Sequence, residues 1–160
     1  MIVTISASRR IATRPQPIHA VIADYRDAHR RIVPPRAFKW LAVEKGGLGA
    51  GTEIRFGMRV AGVTRVTRGV VTEPEAGRTI VETYPETGMV TSFLIEFTGP
   101  NETIVTITTD LPVPGGIAGR IQGFFAGRLL RPLFLEELQR LADIVEGRIQ
   151  HNPIPDHPGA

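Results

Sequence analysis

The chain has 160 residues, of which 42% are hydrophobic, and it contains no cysteine. This size suits one domain with a sizeable core, and the absence of cysteine excludes disulfides and thiolate zinc sites. The formal net charge is only +3, but residues 1–72 hold 13 Lys and Arg against 4 Asp and Glu. We expect strands from both halves to share one sheet, so that the charges intermingle. A basic patch for nucleic acid or a membrane is the alternative.

The first residues, MIVTISASRRIATRP, lack the apolar core of a signal peptide. No segment reaches the roughly 18 uninterrupted apolar residues that a membrane span needs. We therefore expect a cytoplasmic protein without stable membrane insertion.

The first third of the chain predicts one strand followed by short helices. Residues 2–12 alternate apolar and polar side chains, which indicates a strand. Pro15 suits a first helical turn, and Val33-Pro34-Pro35 stops any helix. Residues 15–32 are therefore predicted to hold one or two short helices.

The rest of the chain first predicts a series of strands and then one long helix. From Phe38 to Asp110, turn signals recur every ten to fourteen residues between β-rich runs, as in antiparallel hairpins. After residues 112–116, apolar residues follow helical spacing, which predicts an amphipathic helix of about thirty residues interrupted at Pro132. The tail, residues 150–160, contains three prolines and is expected to be loose.

A glycine-rich stretch, EKGGLGAGTEIRF, contains Gly46, Gly47, Gly49 and Gly51. A phosphate-binding loop needs a helix after it, because the helix N-terminus binds the anion. Here the alternating residues TEIRFGMRV follow, which predict a strand, and no Lys-Ser/Thr pair is present. The stretch is therefore predicted to connect two strands.

This loop, placed between the second and third strands, resembles that of the START-like (SRPBCC) superfamily, which includes birch-pollen-allergen-like proteins and polyketide cyclases/dehydrases. The segments ADYRDAHRRIVPP and GRLLRPLFLEELQRLADIVEG support the resemblance, which covers about residues 2–148. It implies an α+β helix-grip fold: a seven-stranded curved antiparallel sheet around a long C-terminal helix, with two short helices after strand 1. Residues 1–149 would form this single domain, with a pocket for an apolar ligand between sheet and helix.

Strand alternation predicts which side chains face that helix. We expect Ile54, Phe56, Met58 and Val60 to face it from the third strand and Phe93, Ile95 and Phe97 from the sixth, and to meet Ile121, Phe124, Phe125 and Leu129. A solid core is the alternative to a cavity wall. The predicted ligand-binding residues are Trp40, Phe56, Met58, Tyr84, Phe93, Ile95, Phe124 and Phe125.

Three residues are candidates for catalysis, namely Tyr25, His29 and Arg128. Tyr25 and His29 share a helix face if the helix persists, and His29 at the pocket mouth could act as a general base. Arg128 could pair with a ligand carboxylate. The alternatives are that Tyr25 and His29 lie on the surface and that Arg128 extends to the helix edge. The four histidines show no metal-ligand spacing, so we predict no metal site, and we expect no cofactor.

Three functions remain open at this point. The first is binding of a small hydrophobic or amphipathic molecule, lipid-like or polycyclic, in an internal cavity. The second is a cyclase/dehydratase-type enzyme acting on a polyketide-like substrate in the same cavity. The third is a protein or RNA interaction module, although no aromatics interleave with the basic residues, so nucleic acid is not the expected partner. A homodimer could form through an exposed edge strand or through the first short helices.

Overall fold

The computed structural model describes residues 1–159, which form seven strands and three helices. In chain order they are β1 (Ile2–Ile11), α1 (Pro15–Ala23), α2 (Ala28–Ile32), β2 (Phe38–Lys45), β3 (Glu53–Val60), β4 (Val63–Thr72), β5 (Thr79–Tyr84), β6 (Met89–Gly99), β7 (Glu102–Pro112) and α3 (Gly116–Val145).

All seven strands form one antiparallel sheet in the order β1-β7-β6-β5-β4-β3-β2. Strands β2 to β7 pair with their chain neighbours, as consecutive hairpins do. β1 instead pairs with β7 along its full length, from Ile2 opposite Pro112 to Ile11 opposite Thr103. α1 and α2 therefore connect the two edge strands of the sheet. The predicted α+β helix-grip architecture is confirmed.

Alternation along the strands decides which side chains enter the core. In β7, Val105 and Ile107 are buried, and both belong to one hydrophobic cluster with Leu138 and Leu141 of α3. α1 and α2 add further apolar side chains to the same cluster, among them Ile22. The second half of α3 therefore covers the buried face of the sheet.

The glycine-rich stretch connects β2 to β3, as predicted. Gly49 adopts a positive φ of 59°, which a side chain would strain. The Ala50 amide donates to the Glu73 carboxylate at 3.2 Å, and a methyl group on Gly49 would lie 2.1 Å from the same carboxylate oxygen. The loop thus holds one of the chain's own carboxylates, which suits a structural connection.

The C-terminal helix is continuous, so the predicted interruption at Pro132 is wrong. A proline removes one backbone donor. Pro132, however, lies on the exposed side of the helix, and packing on both sides of it keeps the segment helical. No helix within residues 1–159, α3 included, is long and apolar enough to cross a membrane.

The first half of α3, residues 116–131, faces the opposite way from the prediction. Ile121, Phe124, Phe125 and Leu129 were expected to face the sheet, but their exposed fractions are 53%, 61%, 63% and 43%. The side of the helix that touches β1 carries glycine instead, and a methyl group on Gly123 would lie 2.7 Å from a Val3 methyl. Because the close contact requires glycine, the large side chains point outward.

Phe97 was also expected to face inward, and it is 64% exposed. It lies near the end of β6, in the wall of a surface cleft whose other wall includes Pro15 and His19 of α1. Only the start of α1 covers the sheet at this end, so alternation alone does not bury the ring.

Residues 151–155 of the C-terminal tail pack against the domain, which corrects the expectation that the tail is loose, and residue 160 lies outside the described residues. Ile154 is buried, and its amide donates to the Arg30 carbonyl at 2.9 Å. The Leu41 amide donates to the Pro155 carbonyl at 2.9 Å, so the tail extends the edge of β2. Prolines restrict the unfolded tail, so ordering it costs less conformational entropy.

Candidate functional site

A small cavity lies between the sheet and α3. Its volume is about 60 Å³, enough for a few water molecules. Sites for drug-sized molecules measure roughly 300–1,000 Å³. Four apolar lining residues are only half-buried, and they mark the end where the cavity approaches the surface: Phe38, Met58, Met89 and Leu130.

Four of the predicted ligand-binding residues line this cavity, namely Phe56, Met58, Tyr84 and Phe93. The Phe56 ring packs edge-on against Tyr84, with 5.7 Å between ring centres. Strand alternation placed these four correctly in the wall. That they bind a ligand stays a prediction.

Trp40 and Ile95 do not line the cavity, although Ile95 is buried on the inward face as predicted. Leu41 takes the inward position on β2, and Trp40 therefore projects from the other face. There its ring lies over Gly57, and the Arg55 guanidinium lies 5.6 Å from the centre of the ring. Ile95 is buried farther along β6, beside the α1 cleft.

Phe124, Phe125 and Arg128 also lie outside the cavity. All three are exposed on the first half of α3, and the Arg128 guanidinium lies 5.8 Å from the centre of the Phe124 ring. Their predicted place inside the fold is wrong, because the glycine side of the helix faces β1.

Tyr25 and His29 come together although no single helix joins them. α1 ends at Ala23 and α2 begins at Ala28, yet the two rings stack with 4.2 Å between their centres. Both side chains are buried, so the surface alternative is wrong. His29 lines the cavity, and the Tyr25 ring packs against the His29 ring.

The buried carboxylate of Glu82 organises the polar part of the site. The Tyr25 hydroxyl donates to Glu82 Oε1 at 2.7 Å, and the Tyr84 hydroxyl donates to Oε2. Burial raises the pKa of both tyrosines well above the usual value, and the negative charge of Glu82 raises it further. Both phenols therefore stay protonated and act as donors.

His29 presents a basic nitrogen toward Glu82. Its Nδ1 lies 2.7 Å from the Ile22 carbonyl, which can only accept, so Nδ1 carries the proton. Nε2 then holds a lone pair 3.7 Å from Glu82 Oε1. Burial lowers the pKa of His29, and the charge of Glu82 partly opposes this effect. The imidazole is therefore neutral near pH 7 and able to accept a proton.

Glu137 of α3 supplies a neutral carboxylic acid to the same cavity. Burial, and then the charge of Glu82, raises its pKa to about 8. Its carboxyl oxygens are reached from the cavity, and no residue within 1–159 forms a hydrogen bond with them. The hydroxyls of Thr91 and Thr109, 2.8 Å apart, complete the polar lining.

Sequence reasoning singled out neither Glu137 nor Glu82 as a site residue. Both had a visible signal. Period-two alternation places Glu82 between Ile80 and Tyr84 on one face of β5. Glu137 stands four residues before Leu141 on the apolar face of α3. An acid on an otherwise apolar face indicates a buried polar site.

The arrangement combines a carboxylate, a neutral base and a neutral acid at the end of an apolar cavity. It can hold the polar end of a small molecule and move a proton between His29 and Glu137. No group of three His, Cys, Asp or Glu within residues 1–159 is placed to hold a metal ion.

Comparison with known proteins agrees with this architecture. No family model and no curated protein matches the chain. Among solved structures, the KanY protein, determined by NMR, superposes with a TM-score of 0.80 at 24% identity, covering 92% of this chain and 99% of its own. The Zhui aromatase/cyclase from a Streptomyces species gives 0.73 at 16% identity, with coverages of 94% and 97%.

A third match is a START superfamily protein from Mycobacterium smegmatis. It superposes with a TM-score of 0.64 at 19% identity, covering 92% of this chain and 97% of its own. The three matches extend over nearly the whole sheet and α3. The chain therefore has the START-like helix-grip fold.

Proposed function

We propose that the protein binds a small, mostly apolar molecule in the cavity between the sheet and α3, with a polar group of the ligand directed at Glu137. The observation that carries the proposal is the buried Glu137 carboxyl, which faces the cavity and has no hydrogen-bond partner within residues 1–159. The carboxyl oxygens are reached from the cavity, so a polar group of a ligand could pair with them directly. Burial disfavours the charged form of this carboxyl, and a hydrogen-bonding group of a ligand would offset part of that cost.

The size of the cavity limits how a ligand enters. About 60 Å³ accommodates only the polar end of a polycyclic or lipid-like molecule. The rest would extend past Met58 and Met89, whose flexible side chains adapt to the shape of a ligand. Since one structural neighbour is an aromatase/cyclase and another a START superfamily protein, a polyketide-like or lipid-like ligand is the class we favour.

The second candidate is an enzyme of the cyclase/dehydratase type in the same cavity. It is favoured by the pairing of a neutral base, His29, with a neutral acid, Glu137. His29 Nε2 would take a proton from a carbon next to a carbonyl, while Glu137 would protonate the carbonyl oxygen to give an enol. Glu82 would stabilise the resulting imidazolium, and Tyr25 would hold Glu82 in place.

Native mass spectrometry of the protein purified from its own cells, beside a denatured control, tests ligand binding. We expect an extra mass that is lost on denaturation. Leu130→Trp fills the mouth of the cavity and should remove that mass, whereas Leu129→Trp, on the exposed neighbour, should keep it. Wild-type protein without extra mass, and without saturable binding of the dye anilinonaphthalene sulfonate, would contradict the proposal.

Proton transfer has a separate measurement. Exchange of the methyl protons of acetophenone in deuterated water, followed by NMR, should be faster with the protein than without it. His29→Gln and Glu137→Gln should each reduce the rate. An equal rate with and without the protein, while the ketone binds, would remove the enzymatic candidate and leave ligand binding in place.

A further inference from the structure

The first half of α3 presents an apolar surface that the fold does not cover. We define the Phe124 face as the exposed residues of this half: Ile117, Arg120, Ile121, Phe124, Phe125, Arg128, Leu129 and Arg131. Its five apolar members are between 43% and 77% exposed. Single exposed apolar side chains are common, but a contiguous group marks an interaction surface.

The helix cannot turn this face inward. On the opposite side, Gly119 and Gly123 allow contact with Met1 and Val3, and added methyl groups would lie within 3.0 Å of those side chains. The backbone of α3 is therefore packed directly against β1. Rotating the helix would place large side chains where only glycine fits, so the exposure is a property of the folded chain.

The charge around this face has one sign. Residues 111–135 contain no Asp or Glu, and their three basic residues, Arg120, Arg128 and Arg131, are all exposed. The Arg128 guanidinium lies over the Phe124 ring, at 5.8 Å from its centre. Large apolar side chains interleaved with arginine are typical of helices that lie in the headgroup region of a bilayer, where the guanidinium groups reach the phosphates.

We propose that the Phe124 face binds the surface of an anionic lipid bilayer, with α3 lying parallel to the membrane plane. A second copy of the chain fits less well, because a two-fold contact would bring arginines together with no acid within residues 111–135 to pair with them. A protein partner fits less well too. Protein interfaces use roughly one hydrogen bond per 100–200 Å², and Gln122 is the only uncharged polar side chain in this half.

The expected strength of membrane binding follows from the arginines and aromatic residues of the Phe124 face. Each arginine near an anionic surface contributes about 1 kcal/mol, which is about fivefold in the partition coefficient. The interaction is screened beyond roughly 8 Å at physiological ionic strength, so binding should weaken as salt is added. Aromatic side chains add affinity by burying apolar area among the lipids.

Flotation of the full chain with vesicles tests the proposal. One set of vesicles is phosphatidylcholine alone, and the other is an equal mixture with phosphatidylglycerol. We expect binding to the mixture, little binding to phosphatidylcholine, and loss at high salt. Phe124→Ala combined with Phe125→Ala should abolish it, whereas Phe97→Ala, equally exposed on the sheet, should not.

A second pair of variants tests the contribution of the arginines to vesicle binding. Arg128→Gln combined with Arg131→Gln should lower the partition coefficient about 25-fold, at about fivefold per arginine. Arg65→Gln, an exposed arginine on β4, should leave it unchanged.

Four results would overturn the proposal. One is the absence of binding to the mixed vesicles at low salt, and another is equal binding to both vesicle types. The third is a dimer in sedimentation analysis that Phe124→Ala with Phe125→Ala dissociates while wild-type vesicle binding is absent, which would assign the face to a second copy. Retention on polyglutamate without vesicle binding would assign it to an acidic protein and would equally overturn the lipid assignment.

Discussion

The two halves of α3 bury the same side of one continuous helix, but they place different residues on it. In the second half, Phe134 and Leu138 point into the cluster that covers the sheet, and Glu137 reaches the cavity. In the first half, Gly123 occupies the packed side and Phe124 points away from it. Both halves have apolar residues at helical spacing. The comparison shows that the residue at the contact, glycine or leucine, decides whether the apolar side is buried.

The comparison also separates two roles along the helix. The second half supplies most of the buried helical side chains, so it carries stability and the candidate ligand site. The first half makes one close backbone contact with β1 and leaves its large side chains free. Variants that shorten the large apolar side chains should therefore differ between the halves. In the second half they should lower the free energy of unfolding, and in the first half they should change what the surface binds.

The largest expected effect is a difference in stability between variants of two phenylalanines that lie ten residues apart in α3. Phe134→Ala should lower the free energy of unfolding by about 3–5 kcal/mol, because a buried ring leaves a cavity in the core. Phe124→Ala should change it by about 0.5 kcal/mol or less, because that ring is 61% exposed. Urea unfolding of both variants measures the difference. Equal losses would show that the first half is buried in solution.

The next effect is the pH dependence that Glu137 introduces. Its pKa rises from 4.5 to about 8 on folding, so the folded state holds a proton that the unfolded state releases between these values. The contribution of this protonated carboxyl to the free energy of unfolding is fully present below pH 4.5. It is lost as pH rises toward 8, by roughly 1.4 kcal/mol per pH unit. Between pH 5 and pH 7, wild type should therefore lose about 3 kcal/mol relative to Glu137→Gln.

Urea unfolding at several pH values measures this difference directly. Glu86→Gln, on an exposed glutamate, is the control and should follow wild type. Parallel pH profiles for wild type and Glu137→Gln would show that the Glu137 carboxyl is not buried. The pKa of His29 is lowered by burial, so its contribution changes with pH in the opposite sense. Because wild type and Glu137→Gln both contain His29, the difference between them isolates Glu137.

Sequence reasoning recovered the fold because its signals are local. Turn residues, alternation and the strand that follows Gly51 depend only on near neighbours, so the order of elements and the sheet could be predicted. The positions of Phe56 and Phe93 in the cavity wall followed from the same alternation. Tyr25 and His29 were paired on helical spacing, and they meet although the helix is broken between them, because both pack around Glu82.

The errors have a shared physical origin in contacts between distant elements. The direction of Phe124 depends on the approach of Val3 to Gly123, which lie 120 positions apart in the chain. The burial of Ile154 depends on the edge of β2 and on Arg30. Helical periodicity identifies an apolar face but not the surface that it meets. The spacing of glycines at residues 119, 123 and 127 was the signal in the sequence that the side of this helix with small residues packs against another element.

The smallest effect tests that glycine contact. Gly123→Ala brings a methyl group to 2.7 Å from Val3, a stiff β-branched side chain, and overpacking typically costs about 1–3 kcal/mol. Alanine regains about 1 kcal/mol of helix propensity, so the net loss should be about 1 kcal/mol. Gly127→Ala, which meets no atom within 4 Å, should instead stabilise the protein by up to about 1 kcal/mol. Thermal unfolding of both variants measures the contrast. If Gly123→Ala proved as stabilising as Gly127→Ala, the first half of α3 would not be packed against β1, and the outward direction of Phe124 would lose its physical basis.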